Sequence, residues 1–291
     1  MRSVAKHHFM RQALLAVFLF VSLYTSAQFS IGIFGGTSNY QGDLVGRAFV
    51  GRFTKAAIGP TISYAISERF SLRGGATWAR ISGDDRYNTK TYLQARNLNF
   101  ESKLKELSLV GVYTFFNRED LRWSPYVFGG LALFHFNPYT HDSVGAIVNL
   151  KPLSTEGQGL TAYPDRKPYK LTQWAIPFGG GIKYALSDRF DIALEAGIRK
   201  TFTDYLDDVS KNYVDQADLL AERGQQAVDY AYRGDEVPGG NSNYPAKGAQ
   251  RGASKGKDTY YFTGLHLTFH LGSGGTGGGK RTRNMGCPSV N

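Results

Sequence analysis

Few residues in this 291-residue chain stand at spacings that chemistry would need. His266 and His270 are four residues apart, Asp204, Asp207 and Asp208 form an acidic cluster, Gly274 to Lys280 imitates a phosphate loop, and Cys287 is the single cysteine. On a strand the two histidines lie roughly 13 Å apart, too far to share one metal or proton. They read as interior filler. The acidic cluster has the residue types for loose calcium binding, but the simpler expectation is a solvated loop. Position 281 is Arg where a phosphate loop carries Ser or Thr, and the run opens no apolar helix, so these glycines read as a tether. Arg233-Gly234-Asp235 spells an adhesion tripeptide without further support. With no nucleophile and base side by side, the expectation is a non-enzymatic chain with no cofactor, metal or nucleic-acid partner.

The elements that position these residues announce themselves in a stretch that occurs twice. Tyr64-Ala65-Ile66-Ser67-Glu68-Arg69-Phe70 and Tyr184-Ala185-Leu186-Ser187-Asp188-Arg189-Phe190 each take an alternating run into a short polar turn, and a second run leaves it at Phe. That is the pattern of a tight antiparallel hairpin. After the second turn Phe190, Ile192, Leu194, Ala196 and Ile198 share one face, while Asp191, Glu195 and Arg199 share the other. Aromatic residues mark both ends of the apolar face, with Tyr64, Phe70, Tyr184 and Phe190 at the turns and Trp78 and Trp174 far from them. Eight residues tilted by roughly 40° rise about 20 Å, close to the apolar band of a barrel in a bilayer.

Targeting agrees. Residues 1–27 read as a signal peptide, with Arg2, Lys6 and Arg11 before an apolar Ala13 to Leu23 and a small-residue Thr25-Ser26-Ala27 before Gln28. The signal carries three cations and no acids of a formal +10, leaving +7 for the rest, a modest excess that favours acidic partners or lipid phosphates. No segment holds the roughly 20 apolar residues of a transmembrane helix, so a membrane span must be a closed barrel.

Eight strands are expected within residues 28–271. They begin at Phe29, Lys55, Phe70, Leu98, Pro125, Gln173, Phe190 and Asp258. Their connections alternate long and short, as in an all-β, eight-stranded antiparallel transmembrane β-barrel with long extracellular loops. The first strand is expected to stop at Gly35, with Gly36 to Thr54 a polar loop. In the fourth, the parity of the pattern slips near Lys105 to Leu107, which suggests a bulge. The fifth is ambiguous in face, since Val127, Leu131 and Leu133 oppose Phe128, Phe134 and Phe136. Arg73, Lys183, Glu195, Arg199, His266 and His270 are expected to line the interior with opposite charges paired, sealing a barrel this narrow. Val214 to Tyr232, inside the longest loop, has helical character.

Residues 272–291 read as a Gly-rich, basic, periplasmic tail. Lys280, Arg281, Arg283, Cys287 and Pro288 are its candidate partner-binding residues. An odd cysteine in an oxidising compartment is either an intermolecular pairing thiol or an inert one in a chain end.

Phe34-Gly35-Gly36-Thr37-Ser38-Asn39-Tyr40-Gln41-Gly42-Asp43-Leu44, Thr203-Asp204-Tyr205-Leu206-Asp207-Asp208-Val209-Ser210 and the terminal Cys287-Pro288 resemble the PorG family. The resemblance implies an outer-membrane barrel of the type IX secretion system, serving protein transport and gliding motility. Its expected partners are a PorK-like periplasmic lipoprotein and a PorN-like ring protein, held against the outer membrane. The family's tail ends in an aromatic after Cys-Pro, whereas this one ends Ser289-Val290-Asn291. The alternative is a small surface-binding or adhesion barrel acting through its loops.

Overall fold

The fold is that of a computed structural model describing residues 28–117, 121–253 and 256–272. The expected signal peptide, 1–27, lies outside the described residues, as does the tail from 273 on.

Among the described residues ten strands form in chain order: β1 (Phe29–Gln41), β2 (Lys55–Ala65), β3 (Phe70–Asp84), β4 (Asn99–Thr114), β5 (Trp123–His135), β6 (Pro138–His141), β7 (Ile147–Asn149), β8 (Thr172–Ala185), β9 (Phe190–Thr201) and β10 (Thr259–His270). Eight of them close a barrel of antiparallel neighbours, β1-β2-β3-β4-β5-β8-β9-β10. The seam is the pairing of β1 with β10, from Ser30 opposite His270 to Gln41 opposite Thr259. Strands β6 and β7 are a hairpin that carries on above β5 and pairs with the outer end of β4.

The twin turns fold alike. Ile66 N and Leu186 N donate to the carbonyls of Phe70 and Phe190, each at 2.9 Å, and both hairpins close the same end of the barrel. Aromatic pairs gather there, Phe29 on Tyr64 and Phe190 on Phe269, each with ring centres 5.0 Å apart. Above them the outward face is aliphatic, with Ile31, Ile58, Ile62, Leu109, Leu131, Leu194 and Leu265 exposed, and Trp78 and Trp174 mark its upper limit. An exposed apolar band between two aromatic rows is what hydrocarbon requires of a barrel wall. The chain is a transmembrane β-barrel.

Two expectations are corrected. Strand β1 continues six residues past Gly35, because Thr37 to Gln41 keep their ladder to β10. Strand β4 has no bulge, since its register with β3 runs unbroken from Asn99 opposite Asp84 to Tyr113 opposite Phe70. What changes at Lys105 is the surroundings. Even-numbered residues face inward throughout, but Phe100 and Leu104 meet an apolar cap while Glu106 and Ser108 meet a polar lumen; outside, Lys103 and Lys105 meet water and headgroups while Leu107 and Leu109 meet lipid. The hydropathy inverts and the parity does not. In β5 the ambiguity resolves with Phe128 and Phe134 buried inside, as is Phe136 just past its end, and Val127 and Leu131 outside. Pro177 is accommodated because the ladder from β8 to β5 breaks opposite it, between the Gly129–Phe178 and Ala132–Ala175 pairs.

The long loops all leave the end opposite the twin turns and fold together with α1 (Thr91–Arg96), α2 (Gln216–Arg223) and α3 (Gln225–Ala231). Asp215 caps α2 by accepting from Ala217 N and Asp218 N, and Gly224, at φ 80°, breaks α2 from α3 within the stretch expected to be helical. The main hydrophobic core lies in this cap and the upper barrel, around Tyr40, Leu44, Ile81, Phe100, Phe134, Leu206 and Leu219.

Candidate functional site

Inside the barrel, side chains of alternate residues converge on the axis in layers. In the middle layer Arg73 Nη1 donates to Glu195 Oε2 at 2.6 Å, and the Tyr126 hydroxyl donates to the same oxygen at 2.7 Å. Arg73 also donates to His266 Nδ1 at 3.3 Å. Arginine only donates, so Nδ1 accepts and Nε2 carries the hydrogen offered to Thr61 Oγ1 at 2.7 Å. One layer up, Glu106 Oε2 accepts from Arg199 Nε at 3.3 Å and from the Tyr260 hydroxyl at 2.7 Å, with the Arg199 guanidinium 4.2 Å from the centre of the Phe262 ring. Charges taken from water need such partners. The void between the layers is about 30 Å³, room for a water or two and no solute.

Below the Arg73 layer the lumen opens at the twin-turn end into a cup of about 220 Å³. His270 sits at its rim, with Nε2 2.8 Å from Asp191 Oδ2 and Nδ1 2.8 Å from Ser30 Oγ. Lys183 lines the same cup, its Nζ 5.7 Å from the Tyr126 ring centre. All six expected lumen residues therefore point inside, and the two histidines serve separate partners. Asp191, expected on the polar face, is the partner of His270, whereas Glu106, the partner of Arg199, escaped the sequence reading. Glu106 was hidden by the apparent slip in β4, although its even number places it on the inward row.

The acidic cluster is not a solvated loop. Asp204, Asp207 and Asp208 are buried under the cap, because the loops after β1, β5 and β9 close over them. The Tyr40 hydroxyl lies 2.5 Å from Asp207 Oδ2 and 3.2 Å from Asp258 Oδ1, while Val209 N and Leu206 N donate to the far oxygens of the two carboxylates. Burial pushes both carboxyls well above the ordinary carboxylate range, with Asp43 raising both further and Asp207 raising Asp258. Asp208 accepts from Thr155 Oγ1 and from the Tyr169 hydroxyl, and burial lifts it to about 6 against the pull of Arg251. Arg251 donates to Glu156 Oε1 at 3.1 Å, and Arg96 grips both oxygens of Asp85 at 2.7 and 2.8 Å. The two sequence motifs, Phe34 to Leu44 and Thr203 to Ser210, meet at Tyr40 and Asp207. Their shared geometry is a joint between loops. Among the described residues no group of three or more His, Cys, Asp or Glu side chains could hold a metal ion.

Arg233 of the tripeptide is engaged by Glu236 and by Thr140 Oγ1 at 3.0 Å, so the motif is part of the cap's wall. Lys280, Arg281, Arg283, Cys287 and Pro288, the candidate partner-binding residues, lie outside the described residues.

No curated protein matches the sequence. Solved structures that resemble the chain at low identity include three outer-membrane proteins. Neisserial surface protein A, NspA, is 10% identical with a TM-score of 0.41, covering 83% of this chain and 96% of its own. The outer membrane protein OprG from Pseudomonas aeruginosa is 13% identical with a TM-score of 0.40, covering 84% and 98%. Ail, the attachment invasion locus protein of Yersinia pestis, is 11% identical with a TM-score of 0.35, covering 84% and 99%. The barrel itself rests on the closed strand order above. Residues 10–221, most of the chain, match the family described as a domain of unknown function, DUF6089, and the chain belongs to that family.

Proposed function

We propose that this chain is a non-enzymatic anchor in the bacterial outer membrane that holds the periplasmic ring of a type IX protein secretion system. The carrying observation is that the barrel is blocked above the cup at its twin-turn end. The Arg73–Glu195 and Arg199–Glu106 layers fill the lumen, and the extracellular loops above are consolidated on one core. Such a body supplies a fixed point in the membrane. The resemblance of the Phe34 to Leu44 and Thr203 to Ser210 segments to the PorG family supplies the machinery, and with it a PorK-like lipoprotein and a PorN-like protein as partners. The tail from Gly272, with Lys280, Arg281, Arg283, Cys287 and Pro288, follows β10 at the turn end and is the segment proposed to reach them.

The test is capture of the detergent-extracted full chain, with and without reductant, read by mass spectrometry against a chain truncated at Gly272 and against Cys287→Ser. Recovery of a periplasmic lipoprotein by the full chain and its loss on truncation are expected. Loss on reduction or in Cys287→Ser would assign a disulfide to the contact. Recovery of the same lipoprotein by the truncated chain would refute the role of the tail, and recovery of none would refute the anchor.

The adhesion reading has one observation in its favour. Phe49, Tyr87 and Tyr92 stand 60%, 50% and 59% exposed on the cap. Tyr87→Ser/Tyr92→Ser on the intact barrel tests it, through binding of the cells to host or matrix surfaces.

A further inference from the structure

The outward face of β3, β4 and β5 carries a row of cations at the upper edge of the apolar band. Arg80 stands directly opposite Lys103, and one step toward the membrane Trp78 stands opposite Lys105, which in turn faces His135 on β5. Arg80, Lys103, Lys105 and His135 are all exposed. Like charges on directly opposed strand positions repel. Among the described residues no carboxylate lies within ion-pair distance of Arg80, Lys103 or Lys105. On this face Glu101 is occupied by Lys55 Nζ and by the Tyr139 hydroxyl, each at 2.9 Å, and Asp84 by Arg86 at 2.7 Å.

Their height sets what can neutralise them. Leu107 is the last lipid-facing residue of β4 and is 63% exposed. At about 3.3 Å per residue and roughly 40° of tilt, Lys105 lies about 5 Å above it and Lys103 about 10 Å above it. That is the depth of the headgroup layer, and Trp78 beside Lys105 is the residue type that settles at this interface. We infer that Arg80, Lys103 and Lys105 form a docking site for the phosphate of an outer-leaflet lipid headgroup, seated against the barrel wall beside Trp78. The occupant is fixed by charge complementarity and depth together. A soluble anion would meet the same cations, but it would have no acyl chains to lie against the band formed by Leu107, Leu109 and Leu131.

The probe is bisphosphorylated lipid A, titrated into the folded full chain in neutral detergent and read by native mass spectrometry, with its dephosphorylated form as the comparison. Micelles impose no orientation and contain no partner, so this measurement stands or fails independently of the secretion anchor. Arg80→Gln/Lys103→Gln/Lys105→Gln is compared with Lys90→Gln/Lys167→Gln/Lys247→Gln, which removes three exposed cations elsewhere on the cap. Heat-modifiable gel mobility confirms that each variant is folded. The wild type is expected to prefer the phosphorylated lipid, and the first variant to bind it roughly 100-fold more weakly, as three interfacial cations would account for. The second variant is expected to match the wild type. Equal affinity in wild type and first variant, equal affinity for the dephosphorylated lipid, or an equal loss in the second variant would each overturn the site.

Discussion

Replacing Asp258 by Asn should make the extracellular cap harder to open at neutral and alkaline pH. Hydrogens are short at Tyr40. Its hydroxyl brings one, yet two carboxylate oxygens lie 2.5 and 3.2 Å from it, and both carboxylates already accept from backbone N–H groups on their other side. With both carboxylates ionised, the second contact is a repulsion between charges no more than about 6 Å apart, worth about 3 kcal/mol at an effective dielectric of about 20. A proton held on one carboxyl removes it. Asp207 and Asp258 are both raised, by burial first, with Asp43 adding repulsion at both, Asp207 adding it at Asp258, and Arg96 offsetting part of it at Asp207. A carboxyl protonated in the closed cap and ionised in opened loops favours closure fully below the ordinary value near 4, and the preference is lost as pH climbs through the raised value. In Asp258→Asn the amide oxygen still accepts from Leu206 N, and the amide N–H donates to the Tyr40 oxygen without needing a proton from solvent. Limited proteolysis of residues 203–258 at pH 5.5 to 9, on barrels folded in micelles, reads the opening. The wild type should open more readily as pH rises. Asp258→Asn should cut that slope and open on the order of 100-fold less often at pH 9, the equivalent of about 3 kcal/mol. A variant that opens more readily than the wild type at pH 9, or a wild type whose opening is the same at both ends of the range, would refute the shared proton.

Three further outcomes follow from the barrel. Glu195→Leu leaves Arg73 buried without its carboxylate and should lower stability by about 3 to 5 kcal/mol, while Arg73→Met/Glu195→Leu should recover most of it; urea midpoints in micelles measure both. At the seam a Cβ on Gly36 would lie 2.3 Å from the Thr263 carbonyl oxygen, whereas one on Gly35 meets nothing within 4 Å. Gly36→Val should therefore fail to show the heat-modifiable mobility of a closed barrel, and Gly35→Val should keep it. Planar-bilayer recording of Arg73→Ser/Glu195→Ser should show no stepwise conductance, because the Arg199–Glu106–Tyr260 layer and the apolar cap still block the axis.

The strands were legible because lipid on one side and packed polar groups on the other enforce strict alternation, as in Phe190 to Arg199, and because the twin turns repeat nearly letter for letter. Legibility failed where the surroundings change and the chain does not. A strand that leaves the membrane keeps its parity, but its inner row turns from polar to apolar and its outer row from apolar to cationic, so β4 imitates a bulge at Lys105. The acidic cluster was misread for a different reason. Three aspartates in a loop look solvated until Tyr40, Thr155, Tyr169 and Arg251, each distant in sequence, are brought over them. Only the crowding of polar and aromatic residues in Phe34 to Leu44 and Thr203 to Ser210 hinted at it.

The seam between β1 and β10 joins the first strand to the last, and it is fastened at both ends by side chains. Near the twin turns His270 meets Ser30, and at the outer end Tyr40 of β1 meets Asp258, the residue before β10, across 218 positions of sequence. Slipping one strand past the other by a single residue would turn Tyr40 to the opposite face and break the outer fastening. The same contact cannot form until the seam has zipped. Cap assembly is thus a late, non-local step of folding that reports correct register, and once complete it opposes lateral parting of the first and last strands.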